Sequence, residues 1–135
     1  MRNSNVRTKL TPNKYLFDSE YDELSRLIEK YYASDFRNCL MLELAMRTGV
    51  RAQELLNIRK EDMADTTMSI YIRTLKGGVD RDIPLPKSLF NRLKKYAATV
   101  GTDRVFNIDY DTLLAVWHKY RPVKKKFHRD RKSVV

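Results

Sequence analysis

Three short segments carry side chains able to do chemistry on an anion. The first is Thr48-Gly49-Val50-Arg51-Ala52-Gln53-Glu54-Leu55-Leu56. An arginine just after a helix-stopping glycine lies at a helix–helix junction. There its planar fork can meet a phosphate or a carboxylate with two parallel hydrogen bonds. Glu54, three residues on, can hold that fork in place, and a surface arginine paired with Glu54 is the plainer alternative. The second segment is Leu75-Lys76-Gly77-Gly78-Val79-Asp80-Arg81-Asp82-Ile83-Pro84-Leu85-Pro86. A lysine at the tip of a glycine-flexible hairpin can swing into a site formed elsewhere, to neutralise a phosphate or protonate a leaving oxygen. The alternative is a solvated turn lysine. The third segment is Lys124-Lys125-Lys126-Phe127-His128-Arg129-Asp130-Arg131-Lys132. His128 and Arg131 are three apart, so a helix puts them on one face. A solvated basic tail is the alternative.

The elements that must position these residues are legible from periodicity. Asp18 or Ser19 caps a first helix carrying Leu24, Leu27, Ile28 and Tyr31 at helical spacing. Ser34-Asp35 starts a second helix through Phe36, Leu40, Leu44 and Met46, and Gly49 stops it. A third, short helix is expected from Ala52 to Ile58, buried through Leu55, Leu56 and Ile58. The period then changes. Met68, Ile70 and Ile72 alternate with Ser69, Tyr71 and Arg73, as in a strand with one buried face. Gly77-Gly78 turns the chain. Asp82 to Pro86 returns as a short strand, and Pro84, which cannot donate to a ladder, puts it at an edge. Ser88 to Ala98 reads as a helix with Leu89, Leu93 and Tyr96 on one face. Asp109 or Asp111 starts a last helix through Leu113, Leu114 and Trp117, which Pro122 ends. The expected fold is mainly α with a small antiparallel β-hairpin or three-stranded sheet, an α+β architecture.

The chain has 135 residues and room for one domain. Its longest stretch free of Asp, Glu, Lys and Arg is seven residues, as from Thr66 to Ile72. A membrane-spanning helix needs about 20 apolar residues, so no membrane partner is expected. The N-terminal Met1-Arg2-Asn3-Ser4-Asn5 has no apolar segment and does not read as a secretory signal. One cysteine, Cys39, excludes an internal disulfide framework and a cysteine-based zinc site. By default the setting is cytoplasmic. Net charge is +10, and it is unevenly spread. Residues 1–68 hold 11 basic and 11 acidic side chains, whereas residues 69–135 hold 16 basic and 6 acidic. Lys119 to Lys132 alone holds eight basic residues and one acid, Asp130. A field so lopsided attracts a polyanion and speeds its capture, which makes nucleic acid the expected partner.

Taken together and in order, the three segments resemble the catalytic domain of the tyrosine recombinases, the phage-integrase family. Thr48 to Leu55 matches a Thr-Gly-x-Arg-x-x-Glu-Leu segment carrying a first arginine. Leu56-Asn57-Ile58-Arg59-Lys60-Glu61-Asp62-Met63 matches the polar helix end that follows. Lys76, Arg81 and Ile83-Pro84-Leu85-Pro86 match a lysine-bearing hairpin with an arginine and an apolar-proline strand. His128 and Arg131 satisfy a His-x-x-Arg box by spacing. The resemblance covers residues 10 to 131. It divides the chain into a flexible segment at 1–14, a partial catalytic domain at 15–123, and a basic tail at 124–135. The family has an apolar residue before the second arginine and a histidine after it, where this chain has Asp130 and Lys132.

The resemblance implies exchange of a DNA phosphodiester for a phosphotyrosyl bond and back, with no cofactor because the covalent intermediate conserves bond energy. Arg51 and Arg131 would bind the non-bridging oxygens of the transition state. His128 would donate a hydrogen bond or handle the nucleophile's proton, and Lys76 would protonate the leaving 5′ oxygen. Lys76 and Arg51 are then expected on one concave surface. Arg81, Lys124, Lys125 and Lys126 would grip double-stranded DNA. No Asp/Glu/His set stands at metal-ligand spacing, so no metal is expected.

None of the eight tyrosines follows His128, and the last is Tyr120. The chain is therefore expected to be a truncated or degenerate relative, without the nucleophile and inactive alone. A C-terminal segment could mediate self-association. Two other readings stay open: a non-catalytic DNA-binding module or prophage remnant on the same fold, and a helical protein-interaction domain with a basic tail.

Overall fold

The computed structural model describes residues 18–74 and 77–122. Expectations placed on Lys76, Lys124, Lys125, Lys126, His128 and Arg131 lie outside the described residues, as do those for residues 1–17. Five helices and one small sheet follow in the order α1 (Asp18–Tyr31), α2 (Phe36–Thr48), α3 (Ala52–Leu56), β1 (Met63–Ala64), β2 (Ser69–Ile72), β3 (Arg81–Pro84), α4 (Lys87–Ala97) and α5 (Tyr110–Tyr120). A 3-10 turn, Lys60–Asp62, precedes β1. The α+β architecture is the one expected.

Helix α2 is the hub. Cys39, Leu40, Met41, Leu42 and Leu44 are all buried, so apolar residues cover more than one stripe of its surface. Such a helix must be covered on several sides, and α1, α3 and α4 pack against it. By contrast α1 buries Leu24 and Ile28, one turn apart, and leaves a charged outer face. Helix α5 buries Leu113, Val116, Trp117 and Tyr120, and packs on α1 and α3. Asp109 caps it, with its side chain accepting the Thr112 N–H at 2.8 Å.

The ends of the helices decide the site. Helix α2 stops at Gly49, which takes a left-handed φ of 68° and donates its N–H to Ala45 O at 2.9 Å. Only glycine adopts that conformation cheaply. Thr48 satisfies a further carbonyl by donating its hydroxyl to Leu44 O at 2.7 Å. Val50 then plugs into the core, and Arg51 stands at the N-cap of α3 in extended backbone.

Helix α3 is shorter than the expected span to Ile58. It ends at Leu56 because Ile58 is drawn into a backbone pairing, accepting the N–H of Val105 at 3.0 Å. The sheet is antiparallel in the order β1-β2-β3, with Ile70 opposite both Met63 and Ile83, and Ile72 opposite Arg81. Pro84 lies on the edge strand β3, where its missing N–H costs no ladder bond. The alternation expected in β2 holds for Ile70 and Ile72, but Ser69 is buried as well. Met68 falls outside the strand, with a φ of 49°.

Candidate functional site

The corner between α2 and α3 gathers one carboxylate and two guanidiniums. Glu54 is only 2% exposed. Its Oε1 accepts the backbone N–H of Arg51 at 2.9 Å and Nη2 of Arg81 at 3.4 Å. Its Oε2 accepts Nη1 of Arg51 at 3.3 Å. Glu54 therefore does two jobs. As the third residue of α3 it satisfies an orphan donor at the helix start, and as an anion it aligns two arginines from different elements. A buried carboxylate is costly unless paired and hydrogen-bonded, and three donors meet that requirement.

The cluster has spare positive charge. Two guanidiniums against one carboxylate leave a net charge of +1. The Arg51 side chain is 23% exposed and that of Arg81 38% exposed. Nε of Arg51 is buried and has no hydrogen-bond partner among the described residues. Nε of Arg92 is buried and without a partner in the same way, and of the five donors in the Arg51 guanidinium fork Glu54 takes one.

Behind this corner the hairpin is braced. Arg73, just past β2, donates Nη1 to Asp62 Oδ2 at 2.7 Å and Nη2 to Glu61 Oε2 at 3.2 Å. Asp62 also accepts the N–H of Arg59 at 2.8 Å, so the 3-10 turn and the sheet are one unit. Asp80 closes the hairpin from the other arm, accepting the Tyr71 hydroxyl at 2.7 Å and the Thr74 N–H at 2.9 Å. The Tyr71 bond, and then the Thr74 one, hold the Asp80 carboxyl below its ordinary range.

Two tyrosines lie in other polar knots. Tyr120 is buried at the end of α5 and donates its hydroxyl to Asp35 Oδ2 at 2.6 Å. Burial first, and then the bond to Asp35, push its ionisation well above the ordinary value. Asp35 also accepts Asn38 Nδ2 at 2.9 Å and pairs with Lys119 at 3.4 Å. Tyr120 thus ties α5 to the start of α2. Tyr32 donates to Glu43 at 2.8 Å, beside an Arg92 that pairs with the same carboxylate at 3.0 Å. The Arg92 guanidinium also lies 4.7 Å from the Tyr32 ring centroid.

Of the residues singled out by sequence, the structure brings Arg51 and Arg81 together on Glu54. The bracing roles of Asp62, Arg73 and Asp80 were not foreseen. Asp80 left one local signal, an acidic residue at a glycine turn, where Asp commonly accepts nearby backbone N–H groups. Asp62 and Arg73 left none, since 11 residues separate them.

Comparison with known proteins agrees with this fold. The model of the phage integrase family matches residues 14–133. A tyrosine recombinase of Pseudothermotoga lettingae is 30% identical over 138 residues, covering 95% of this chain and 46% of the relative. Tyrosine recombinase XerA of Pyrococcus furiosus is 36% identical over 75 residues, or 56% of this chain and 26% of the relative. A crystal structure of XerA recombinase superposes with a TM-score of 0.65 at 26% identity, covering 87% of this chain and 47% of that one. The chain thus spans less than half the length of the relatives it matches.

Proposed function

The chain belongs to the phage integrase family, and from that premise we propose that it is the catalytic-domain portion of a DNA strand-exchanging recombinase acting on double-stranded DNA. The observation that supports this reading is the pair Arg51 and Arg81 on Glu54, each with part of its side chain exposed. A scissile phosphate has the charge and the oxygen geometry to fill that fork.

In this reading Arg51 grips a non-bridging oxygen and stabilises the charge that builds there in the transition state. Such preorganised donors are worth about 10²–10³ in rate each. Arg131 does the same from the third segment, His128 handles a proton or donates a hydrogen bond, and Lys76 protonates the leaving 5′ oxygen. Arg81 and Lys124, Lys125 and Lys126 hold neighbouring phosphates. Phosphate contacts of this kind position DNA without reading its sequence. No cofactor is required, because the phosphotyrosyl intermediate stores the bond energy. Self-association through the C-terminal segment and a cytoplasmic setting belong to the same reading.

Binding of a fluorescent duplex in increasing salt tests it. The 135-residue chain should bind weakly, with a dissociation constant of roughly 10⁻⁴–10⁻⁶ M at physiological salt, and more tightly as salt falls. Salt-independent binding, or none at low salt, would favour a protein-interaction domain instead. Nicked suicide DNA resolved on a denaturing gel tests the chemistry. No covalent adduct is expected, since Tyr120 is buried and bonded to Asp35 and no tyrosine follows it.

A further inference from the structure

Arg59 and Arg104 stand directly opposite each other in an isolated antiparallel bridge, where the chain after α3 meets the segment between α4 and α5. The Lys60 N–H donates to Asp103 O at 2.9 Å, and the Val105 N–H donates to Ile58 O at 3.0 Å. Those bonds flank the two arginines rather than join them. The pair is therefore of the narrow, non-hydrogen-bonded kind, with Cα atoms about 4.5 Å apart and side chains close together. Side chains alternate across extended backbone. Ile58 and Val105 turn inward, 2% and 0% exposed, so Arg59 and Arg104 turn outward, and both are exposed.

Like charges placed directly opposite each other are destabilising. Among the described residues neither guanidinium has an ion-pair partner to relieve this. The carboxylates that follow Arg59 are engaged. Asp62 accepts the Arg59 backbone N–H at 2.8 Å and Arg73 Nη1 at 2.7 Å, and Glu61 accepts Arg73 Nη2 at 3.2 Å. Two guanidinium forks thus share one outer face with no carboxylate paired to either. Resting on the DNA reading above, we propose that Arg59 and Arg104 form a second phosphate site, a two-arginine clamp on one phosphodiester of the duplex away from the scissile one. Planar forks match the two non-bridging oxygens of such a group. The clamp is linked to the Arg51 corner by a short series of contacts. Asp62 holds Arg59 and Arg73 together, Arg73 follows Ile72, and Ile72 pairs with Arg81, which joins Arg51 on Glu54. A duplex seated at Arg51 presents a phosphate about every 3.4 Å of axis along each strand, and the clamp takes one of them. It contributes register and affinity, not base reading.

Duplex affinity of the full 135-residue chain, measured by fluorescence anisotropy over a salt series, tests the clamp. Both side chains are exposed, so replacing them leaves the core intact. Arg59→Ala combined with Arg104→Ala should weaken binding several-fold at low salt and lower the slope of log affinity against log salt by about 0.9, the value for one phosphate. Either substitution alone should lower the slope by less, because the remaining arginine still neutralises the same phosphate. A fall of about 1.8 in the double variant would mean two separate phosphates and overturns the shared clamp. Arg59→Lys combined with Arg104→Lys keeps the charge and removes the planar forks. That chain should keep the slope and lose part of the affinity, and full affinity overturns the fork geometry. Arg26→Ala removes an exposed arginine from α1 and controls for long-range charge. A parent that binds duplex, with losses at Arg59 and Arg104 no larger than at Arg26, sinks the clamp and leaves the DNA reading standing. A parent that binds no duplex at low salt sinks both.

Discussion

Arg51 and Arg81, thirty residues apart in the chain, meet on the single buried carboxylate of Glu54. One arginine begins a helix and the other begins an edge strand, so Glu54 joins the α2–α3 corner to the hairpin. Glu54→Gln keeps the shape but removes the charge that aligns both guanidiniums. We expect a loss of about 1.5–3 kcal/mol in urea unfolding, the range for hydrogen bonds to a charged group. Affinity for duplex DNA should not fall with it, because net charge rises by one. Weaker binding at low salt in a folded Glu54→Gln chain would mean that the alignment Glu54 gives the two arginines outweighs the charge gained.

Gly49 is the second point of control. Its φ of 68° directs the chain from α2 into the Arg51 corner, and space alone does not require glycine, since a Cβ there would meet nothing within 4 Å. Gly49→Ala therefore isolates the backbone cost, about 1–2 kcal/mol for an L-residue in left-handed conformation. A chemical denaturation curve with an unchanged slope and a lower midpoint is the expected result.

Phosphate contacts should separate from the site by salt dependence. Replacing Lys124, Lys125 and Lys126 with Ala should reduce the slope of log affinity against log salt by up to about three, if each lysine neutralises one phosphate. Arg51→Ala should barely alter affinity, since its proposed role is at one scissile phosphate. A large affinity loss from Arg51→Ala alone would make it a general DNA contact.

The hydrogen bonds of Asp80 to Tyr71 and Thr74 should survive mild acid. Its folded carboxyl ionises below the ordinary value of 3.8, chiefly through the Tyr71 hydrogen bond and then Thr74, with Arg73 adding a smaller favourable charge. A depressed carboxyl contributes stabilisation that is complete above the unfolded value and disappears as pH falls through the folded one. The Thr74 amide resonance should thus hold steady from pH 7 to about pH 4.5 and shift only below pH 3.8. Asp80→Asn should abolish that acid shift. A midpoint above the ordinary value would contradict the hydrogen-bonded geometry.

Tyr120→Phe should destabilise the chain by about 1–2 kcal/mol, because Asp35 loses a donor in a partly buried site. DNA affinity should be unaffected. Differential scanning fluorimetry alongside the duplex titration separates these two effects.

The sequence by itself determined the local elements and the order of the chemical groups. Gly49 announced a helix end because a left-handed residue favours glycine, Asp109 announced a cap, and Ile70 and Ile72 announced a buried strand face. Arg51 with Glu54 was legible because a spacing of three is a contact distance in a helix's first turn. The excess positive charge of residues 69–135 pointed to a polyanion because long-range fields depend on charge content more than on fold. What only the tertiary structure decided are the pairings across distance. Arg81 reaches Glu54, Arg73 reaches Asp62, and Tyr120 reaches Asp35 across 85 positions. The early end of α3 belongs with these, since Ile58 leaves the helix to pair with Val105. No periodicity encodes such contacts. They arise when burial of α2 against α1, α3 and α4 fixes the frame, and each polar group then bonds to whichever partner the packing has brought within reach.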